Sequence, residues 1–497
     1  MRRTDFLPLL AWGRLLPALG FLLYALFLAH YMGVFAGGAD SSGYLNNARL
    51  LAEGRVTAPM QRVPDPRPET LPSYTDVPLG FSPNRDHVTL NPVYPLGLPL
   101  LIAGMTLLAG WAHGPGLAMG LQALLGLWLV HQLARSMGLG AGLAWLGTLL
   151  LAVSPLYIYV SLQVMSDMPA LVWVTAAVYY AWISRDRTWL ALLAGMALAM
   201  AVLVRPSDLL AAIPVALALG FSLRRWLLLI VGGLPGAIFL SLSNLAAYGS
   251  IFTTGYGSVA TEFSQQVVPN TLVHFAIWLP VLLTPLIVLA LGLPALRRHR
   301  TLPTALLATW ALIFPVFYVF NIHAHEVWWY LRFLLPSFPP LIVAAMLVAD
   351  SLIARWRLPR RPWWLAMAGA LAIFNGIAWT RHLDARHLDY SEKVYSEACA
   401  WLRGHLPANA VVATMQISGA LFYYTDYTLV RWDMISPADF QRIAAACTAA
   451  GRPIYAVLFP FEIEDADQKA FQKHLTGHWT QIGAVRFVSI WRYDSPQ

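Results

Sequence analysis

Between Asn91 and Ala349 the chain carries only five acidic residues: Asp167, Asp186, Asp208, Glu262 and Glu326. A soluble domain is charged at about a quarter of its positions. A stretch this poor in carboxylates has little surface for water to solvate. It is filled instead by apolar runs, and a bilayer-crossing helix needs about 17–25 such residues. Runs at roughly 8–30, 116–134, 141–160, 168–183, 188–204, 208–223, 226–247, 273–296, 303–320, 333–354 and 363–380 predict about eleven transmembrane helices. Over the whole chain 58% of residues are hydrophobic and 12% charged. That excludes an ordinary cytosolic globule and excludes disorder. The fold class expected is a polytopic α-helical membrane protein.

The net charge of +8 might point to nucleic acid, but its distribution argues otherwise. From Arg381 onward there are 11 basic and 12 acidic residues, so the positive excess belongs to the preceding part. There it is mostly Arg beside apolar runs, which marks membrane topology and no nucleic-acid partner. A further apolar run, Val93 to Trp111, is interrupted around by Pro92, Pro95, Gly97 and Pro99. If it lies along the surface, Arg2 and Arg3, Arg135, Arg185 and Arg187, Arg224 and Arg225, Arg297, Arg298 and Arg300, and Arg355, Arg357, Arg360 and Arg361 all fall on one side. The positive-inside rule makes that side cytoplasmic. The expected topology is a multi-pass protein of the cytoplasmic membrane, with the N-terminus inside and the first apolar run retained as a helix.

The opposite face then receives a first loop of roughly 31–115, a loop near 248–272, the stretch Asn321 to Arg332 and the region 381–497. Two domains are expected: a membrane domain over 1–380 and an extracytoplasmic α/β domain over 381–497. The second holds all three lysines, Lys393, Lys469 and Lys473. It alternates strand-like runs (Val411 to Thr414, Thr428 to Trp432, Pro453 to Phe459, Val485 to Arg492) with helical ones (Ser391 to Leu402, Pro437 to Ala450, Asp465 to Leu475). It contains no phosphate-binding glycine motif. Its two cysteines, Cys399 and Cys447, have no metal-type spacing and read as buried thiols before a disulfide.

Charges beside membrane spans are costly, so each is a functional candidate weighed against an ordinary role. Asp186, between Arg185 and Arg187, reads as part of a solvated turn. Asp40 follows the first helix in Gly37-Gly38-Ala39-Asp40-Ser41-Ser42-Gly43-Tyr44. It suits a helix cap, and equally a general base toward an acceptor hydroxyl or amine. Asp167, in Ser166-Asp167-Met168-Pro169, suits ordinary capping or a role in binding metal or acceptor. Arg205, before Pro206, suits a salt bridge to Asp208 or snorkelling to the interface, and Arg332, before Phe333, suits lipid anchoring; both equally suit phosphate binding, for which guanidinium geometry is apt. His323 and His325, with Glu326 beside them, could supply ligands for a divalent cation; the alternative is an interfacial polar loop next to Trp328, Trp329 and Tyr330. The uncharged loop from Tyr248 to Tyr256 could line a sugar site or simply turn.

In this order, Asp40-Ser41-Ser42-Gly43-Tyr44, Asn91-Pro92-Val93-Tyr94-Pro95, Ser166-Asp167-Met168-Pro169, Val204-Arg205-Pro206, Tyr248-Gly249 with Gly255-Tyr256, and Arg332-Phe333-Leu334-Leu335-Pro336 resemble the GT-C fold integral-membrane glycosyltransferases. The likeness is to the branch with the protein O-mannosyltransferases and the lipid A aminoarabinose transferase, over about residues 1–380. The resemblance implies a polyprenyl-phosphate-linked sugar donor and inversion at the sugar carbon. It makes Asp40 the catalytic base, Asp167 the second acidic position and a catalytic helper, and Arg332 a ligand of the donor phosphate. Arg205 joins Arg332 in that role, and Tyr44, Tyr94, Tyr256 and Glu326 are the substrate-binding candidates. Asn91-Pro92 stands where the aminoarabinose transferases have an acid and a lysine, which departs from their pattern.

The chemistry fits the same residues. A phosphate-linked sugar has a stabilised leaving group, so the needs are a base for the nucleophile and cations for the departing phosphate. The expected function is sugar transfer from such a donor to a lipid, glycan or protein acceptor, among membrane lipids. The rival readings are a lipid-linked sugar transporter, against which the lack of repeated halves speaks, and a non-catalytic envelope assembly protein.

Overall fold

The computed structural model describes residues 7–257, 260–297, 300–356, 362–386, 388–463 and 471–494, with side chains omitted at 7–16, 362 and 389. Arg2, Arg3, Arg298, Arg357, Arg360, Arg361 and Lys469 lie outside the described residues, as does the start of the helical run expected at Asp465. The chain is a mostly helical, multi-pass membrane protein. Among the described residues, five helices are long and apolar enough to cross a membrane: Gly97–Ser136, Leu223–Tyr248, Thr301–Tyr318, Trp328–Arg355 and Trp363–His382. Two bent pairs raise the number to seven.

The expected count of eleven is therefore not reproduced, and proline is the main reason. Pro155, without an N–H, ends one helix and opens another, so Ala141–Ala152 and Pro155–Ser161 meet at 63°. Ser154 caps the second piece by accepting from the Tyr157 N–H. Thr284, at φ 67°, and Pro285 divide the run expected at 273–296 into segments 110° apart. Three further apolar helices, Pro17–Tyr31, Leu190–Val204 and Pro206–Leu219, are shorter. The ambiguous run from Val93 becomes the start of a long helix that breaks at Gly110, where φ is 69° and ψ 172°.

Packing divides the chain into two compact units. One unit takes in Met1–Met32, Gly116–Ile238 and Ser258–His387. In it, the helices Leu190–Val204 and Leu223–Tyr248 touch backbone to backbone. A methyl group on Gly195 would collide with the Leu229 carbonyl, and one on Gly232 with the Leu192 carbonyl. Small residues permit such approach where no hydrophobic force drives helices together.

The other unit joins Gly33–Pro115 and Phe239–Gly257 to Leu388–Gln497. Its sheet has the order β5-β4-β6-β8-β7, formed by β4 (Val411–Thr414), β5 (Thr428–Arg431), β6 (Ile454–Leu458), β7 (His478–Val485) and β8 (Val488–Asp494). The first three strands are parallel, and β8 and β7 run antiparallel. Strand β7 is absent from the sequence expectation. It is an edge strand with a bulge between Gln481 and Gly483 and mostly exposed side chains, so it lacks a buried alternation. Cys399 and Cys447 are free, buried and in separate core clusters.

The first loop builds into this sheet region. Val63 and Leu71 share a core with Val411, Val430 and Phe440. The Arg431 N–H donates to the Thr75 carbonyl at 2.8 Å. A smaller three-stranded sheet, β1 (Ala58–Pro59), β3 (Thr89–Pro92) and β2 (Phe81–Pro83), packs Phe81 against Phe422 at 5.0 Å between ring centroids.

Candidate functional site

Asp40 lies in the first turn of the helix Ala39–Ala52, whose N-cap is Gly38. The cap expected of Asp40 is thus taken by the neighbouring glycine. The Asp40 carboxylate instead accepts a hydrogen bond from the Tyr94 hydroxyl at 2.8 Å. Burial first, and the Asp40 charge second, hold that hydroxyl well above its usual range, so Tyr94 stays a donor. Tyr94 packs on Tyr44 at 4.8 Å and edge-on to Tyr256 at 6.2 Å between ring centroids. Three of the four substrate-binding candidates thus gather about one carboxylate.

Glycines make room for that gathering. A side chain on Gly43 would strike the Tyr94 ring, and Gly80, at φ 90°, approaches the Gly43 Cα. The loop after Tyr248 is fastened here as well. The Tyr248 hydroxyl donates to the Pro92 carbonyl at 2.7 Å, and Asn91 Nδ2 to the Ala247 carbonyl at 2.8 Å. Asn91 is therefore an anchor of this loop.

The C-terminal residues form the underside of the Asp40 helix. Asn46 Nδ2 donates to the Gly419 carbonyl at 3.0 Å, and Arg49 donates to the Tyr423 carbonyl at 2.8 Å while lying 3.9 Å above that ring. Gly419 has no room for a Cβ against Ser42. Glu392 accepts from the Gly38 N–H at 3.3 Å and from Ser41 Oγ at 3.4 Å. Burial first, and the Asp40 charge among lesser causes, push the Glu392 carboxyl up. Glu392 was invisible in the sequence: nothing at Ser391-Glu392-Lys393 marks it. Only the glycine pair Gly37-Gly38 hints that something approaches.

In the other unit a second constellation forms. Asp167 is fully buried at the start of the helix Asp167–Ile183, where the positive end of the helix dipole favours a carboxylate. Arg205 Nη2 reaches its Oδ1 at 2.7 Å, and Arg332 Nη1 stands 3.9 Å from Oδ2. Arg205 is extended because it precedes Pro206, which turns it away from the helix Leu190–Val204. Its Nε donates to Ser166 Oγ at 2.9 Å. Both guanidinium groups lie over Phe333, at 5.9 and 5.3 Å. Phe333 in turn stacks on Tyr318 at 5.1 Å, and the Tyr318 hydroxyl meets Ser207 Oγ at 2.8 Å.

Asp167 has no exposed surface and faces both arginines. His323, expected with His325 as a candidate metal ligand, is engaged by acids. Both ring nitrogens of His323 face carboxylates, Glu262 at 3.3 Å and Glu326 at 2.8 Å. Glu326, expected on substrate, is engaged there. Among the described residues no group of three or more His, Cys, Asp or Glu is placed to hold a metal ion.

No protein-family model matches the sequence, and no curated protein matches it. Solved structures do match in fold. ArnT from Cupriavidus metallidurans in the apo state aligns with a TM-score of 0.60 at 14% identity, over 99% of this chain and 100% of that one. The same protein bound to undecaprenyl phosphate aligns at 0.58 and 13%, over 97% and 99%. The apo oligosaccharyltransferase of Archaeoglobus fulgidus aligns at 0.53 and 12%, over 91% of this chain and 70% of that one. These are GT-C folds, and this chain shares the fold across nearly its whole length.

Proposed function

We propose that this chain is an inverting membrane glycosyltransferase, taking a sugar from a polyprenyl-phosphate donor at the extracytoplasmic face of the cytoplasmic membrane. The observation that carries the reading is the Asp40 carboxylate, hydrogen-bonded to Tyr94 with Tyr44 and Tyr256 packed against that ring. The shared fold supports it, since one structure of similar fold holds undecaprenyl phosphate.

Asp40 takes the proton of an acceptor hydroxyl or amine as that atom bonds to the sugar's anomeric carbon. The bond from that carbon to the phosphate oxygen breaks, and the electron pair leaves with the polyprenyl phosphate. Arg205 and Arg332 stabilise the departing charge. Asp167 holds the two like-charged guanidinium groups together before phosphate arrives. Tyr44, Tyr94 and Tyr256 offer aromatic faces and hydroxyls to the sugar. The acceptor is a lipid, a glycan or a protein.

A strain lacking the protein, complemented with wild type or with Asp40→Asn, tests this reading. One envelope sugar is expected to vanish in the deletion, to return with wild type and to stay absent with the variant, although the variant accumulates in the membrane. Its return with Asp40→Asn would remove Asp40 from the role of base.

A further inference from the structure

We infer that Glu392 is a positioning residue for Asp40, so that the C-terminal α/β region is a working part of the site; this rests on the reading of Asp40 given above. The helix Ala39–Ala52 begins on a residue with no side chain to cap it, Gly38. A helix start lacking its own cap leaves donors to be satisfied from elsewhere. Glu392, more than 350 positions along the chain, supplies the acceptor: its Oε2 takes the Gly38 N–H and Ser41 Oγ. Ser41 Oγ accepts in turn from the Gly37 N–H at 3.1 Å. The residues on either side of Asp40 are therefore pinned through one oxygen of Glu392.

Gly37 is the counterpart of that oxygen. A Cβ there would occupy the place of the Glu392 carboxylate. The other groups facing the cluster are Tyr395 and Gln416, which are joined by a 2.8 Å hydrogen bond from Gln416 Nε2 to the Tyr395 hydroxyl. The like charge of Asp40 makes it a poor neighbour for Glu392 unless the hydrogen bonds hold both in place. An arrangement with that cost is retained where a carboxylate must be aimed. A misplacement of about 1 Å at a catalytic group costs about 100-fold in rate.

The test uses the full-length protein carrying Glu392→Ala, Glu392→Gln or Gly37→Ala, beside Asp40→Asn. Hydrogen exchange over residues 37–44, undecaprenyl phosphate binding by the purified protein and the sugar product in complemented cells are measured. Glutamine keeps an acceptor oxygen, so Glu392→Gln is expected within about twofold of wild type. Glu392→Ala and Gly37→Ala are expected to speed exchange at 37–44 and to lower product by about 10- to 100-fold, with undecaprenyl phosphate binding unchanged. Unchanged exchange in Glu392→Ala overturns the pinning. Faster exchange with full product overturns the positioning role alone, while full product in Asp40→Asn overturns the reading of Asp40 itself. Loss of undecaprenyl phosphate binding alongside product marks general misfolding and counts against the inference.

Discussion

Arg205 Nη2 lies 2.7 Å from Asp167 Oδ1, and neither side chain is more than 12% exposed. Removing one partner of such a pair strands the other charge, at about 3–5 kcal/mol. Asp167→Asn is therefore expected to lower the thermal midpoint of the purified protein markedly. Replacing Arg205 by Gln in the same chain recovers part of the loss. An additive double mutant would show that the two residues are not coupled.

Tyr94→Phe removes the hydroxyl that donates to Asp40 but keeps the ring between Tyr44 and Tyr256. Product in complemented cells is expected to fall about tenfold, since a hydrogen bond to a charged group is worth about 1.5–3 kcal/mol. Tyr94→Ala, which also removes the packing, falls further. Equal product from Tyr94→Phe and wild type would assign Tyr94 a packing role only.

Asp76 is buried within the first loop, with its carboxylate accepting from the Val63 N–H at 3.1 Å and Arg62 3.9 Å away. Burial outweighs those two favourable partners and pushes the carboxyl up to about 6. Its folded value lies above its ordinary one, so its stabilising contribution is full at pH below the ordinary carboxylate range. That contribution is lost as pH rises through about 6. Asp76→Asn keeps an acceptor without the charge. It is expected to raise stability at pH 8 by roughly 2–3 kcal/mol and to flatten the profile between pH 4 and 7. Chemical denaturation across that range reads it directly.

Cys399 and Cys447 are both buried, and burial pushes their thiols up to about 12 and about 11. Neither is expected to react with a maleimide at pH 7 until the protein is denatured, when both do. Reductant leaves the thermal midpoint unchanged. A midpoint that drops with reductant would point to a disulfide.

Gly195→Val places a branched side chain where the Leu229 carbonyl already sits. The helices Leu190–Val204 and Leu223–Tyr248 must then part, at about 1–3 kcal/mol or more. Lower yield of folded protein in detergent is the readout. An unchanged midpoint would mean that the helices can slide past each other.

The membrane helices were legible because a bilayer demands long apolar runs, and that demand writes itself into composition. Their number was not. Pro155 and Pro285 each sit inside a run that hydropathy alone reads as one span. The acids and arginines stood out for the same reason: Asp167 and Arg205 are conspicuous where charge is scarce. Their pairing was less so, since 38 positions separate Asp167 from the Arg205 that meets it. The tyrosines around Asp40 were singled out through motif order. Glu392 lay in a charged segment where one more carboxylate carries no signal, and its contact spans the length of the chain. Strand β7 hid because an exposed edge has no apolar alternation to read.

The start of the Asp40 helix leaves the ribosome more than 350 residues before Glu392 and Gly419, which support it. At about 5–20 residues per second the interval is tens of seconds. For that time the helix lacks the Glu392 and Gly419 contacts beneath it. Synthesis of that distant segment is what gives the helix its support.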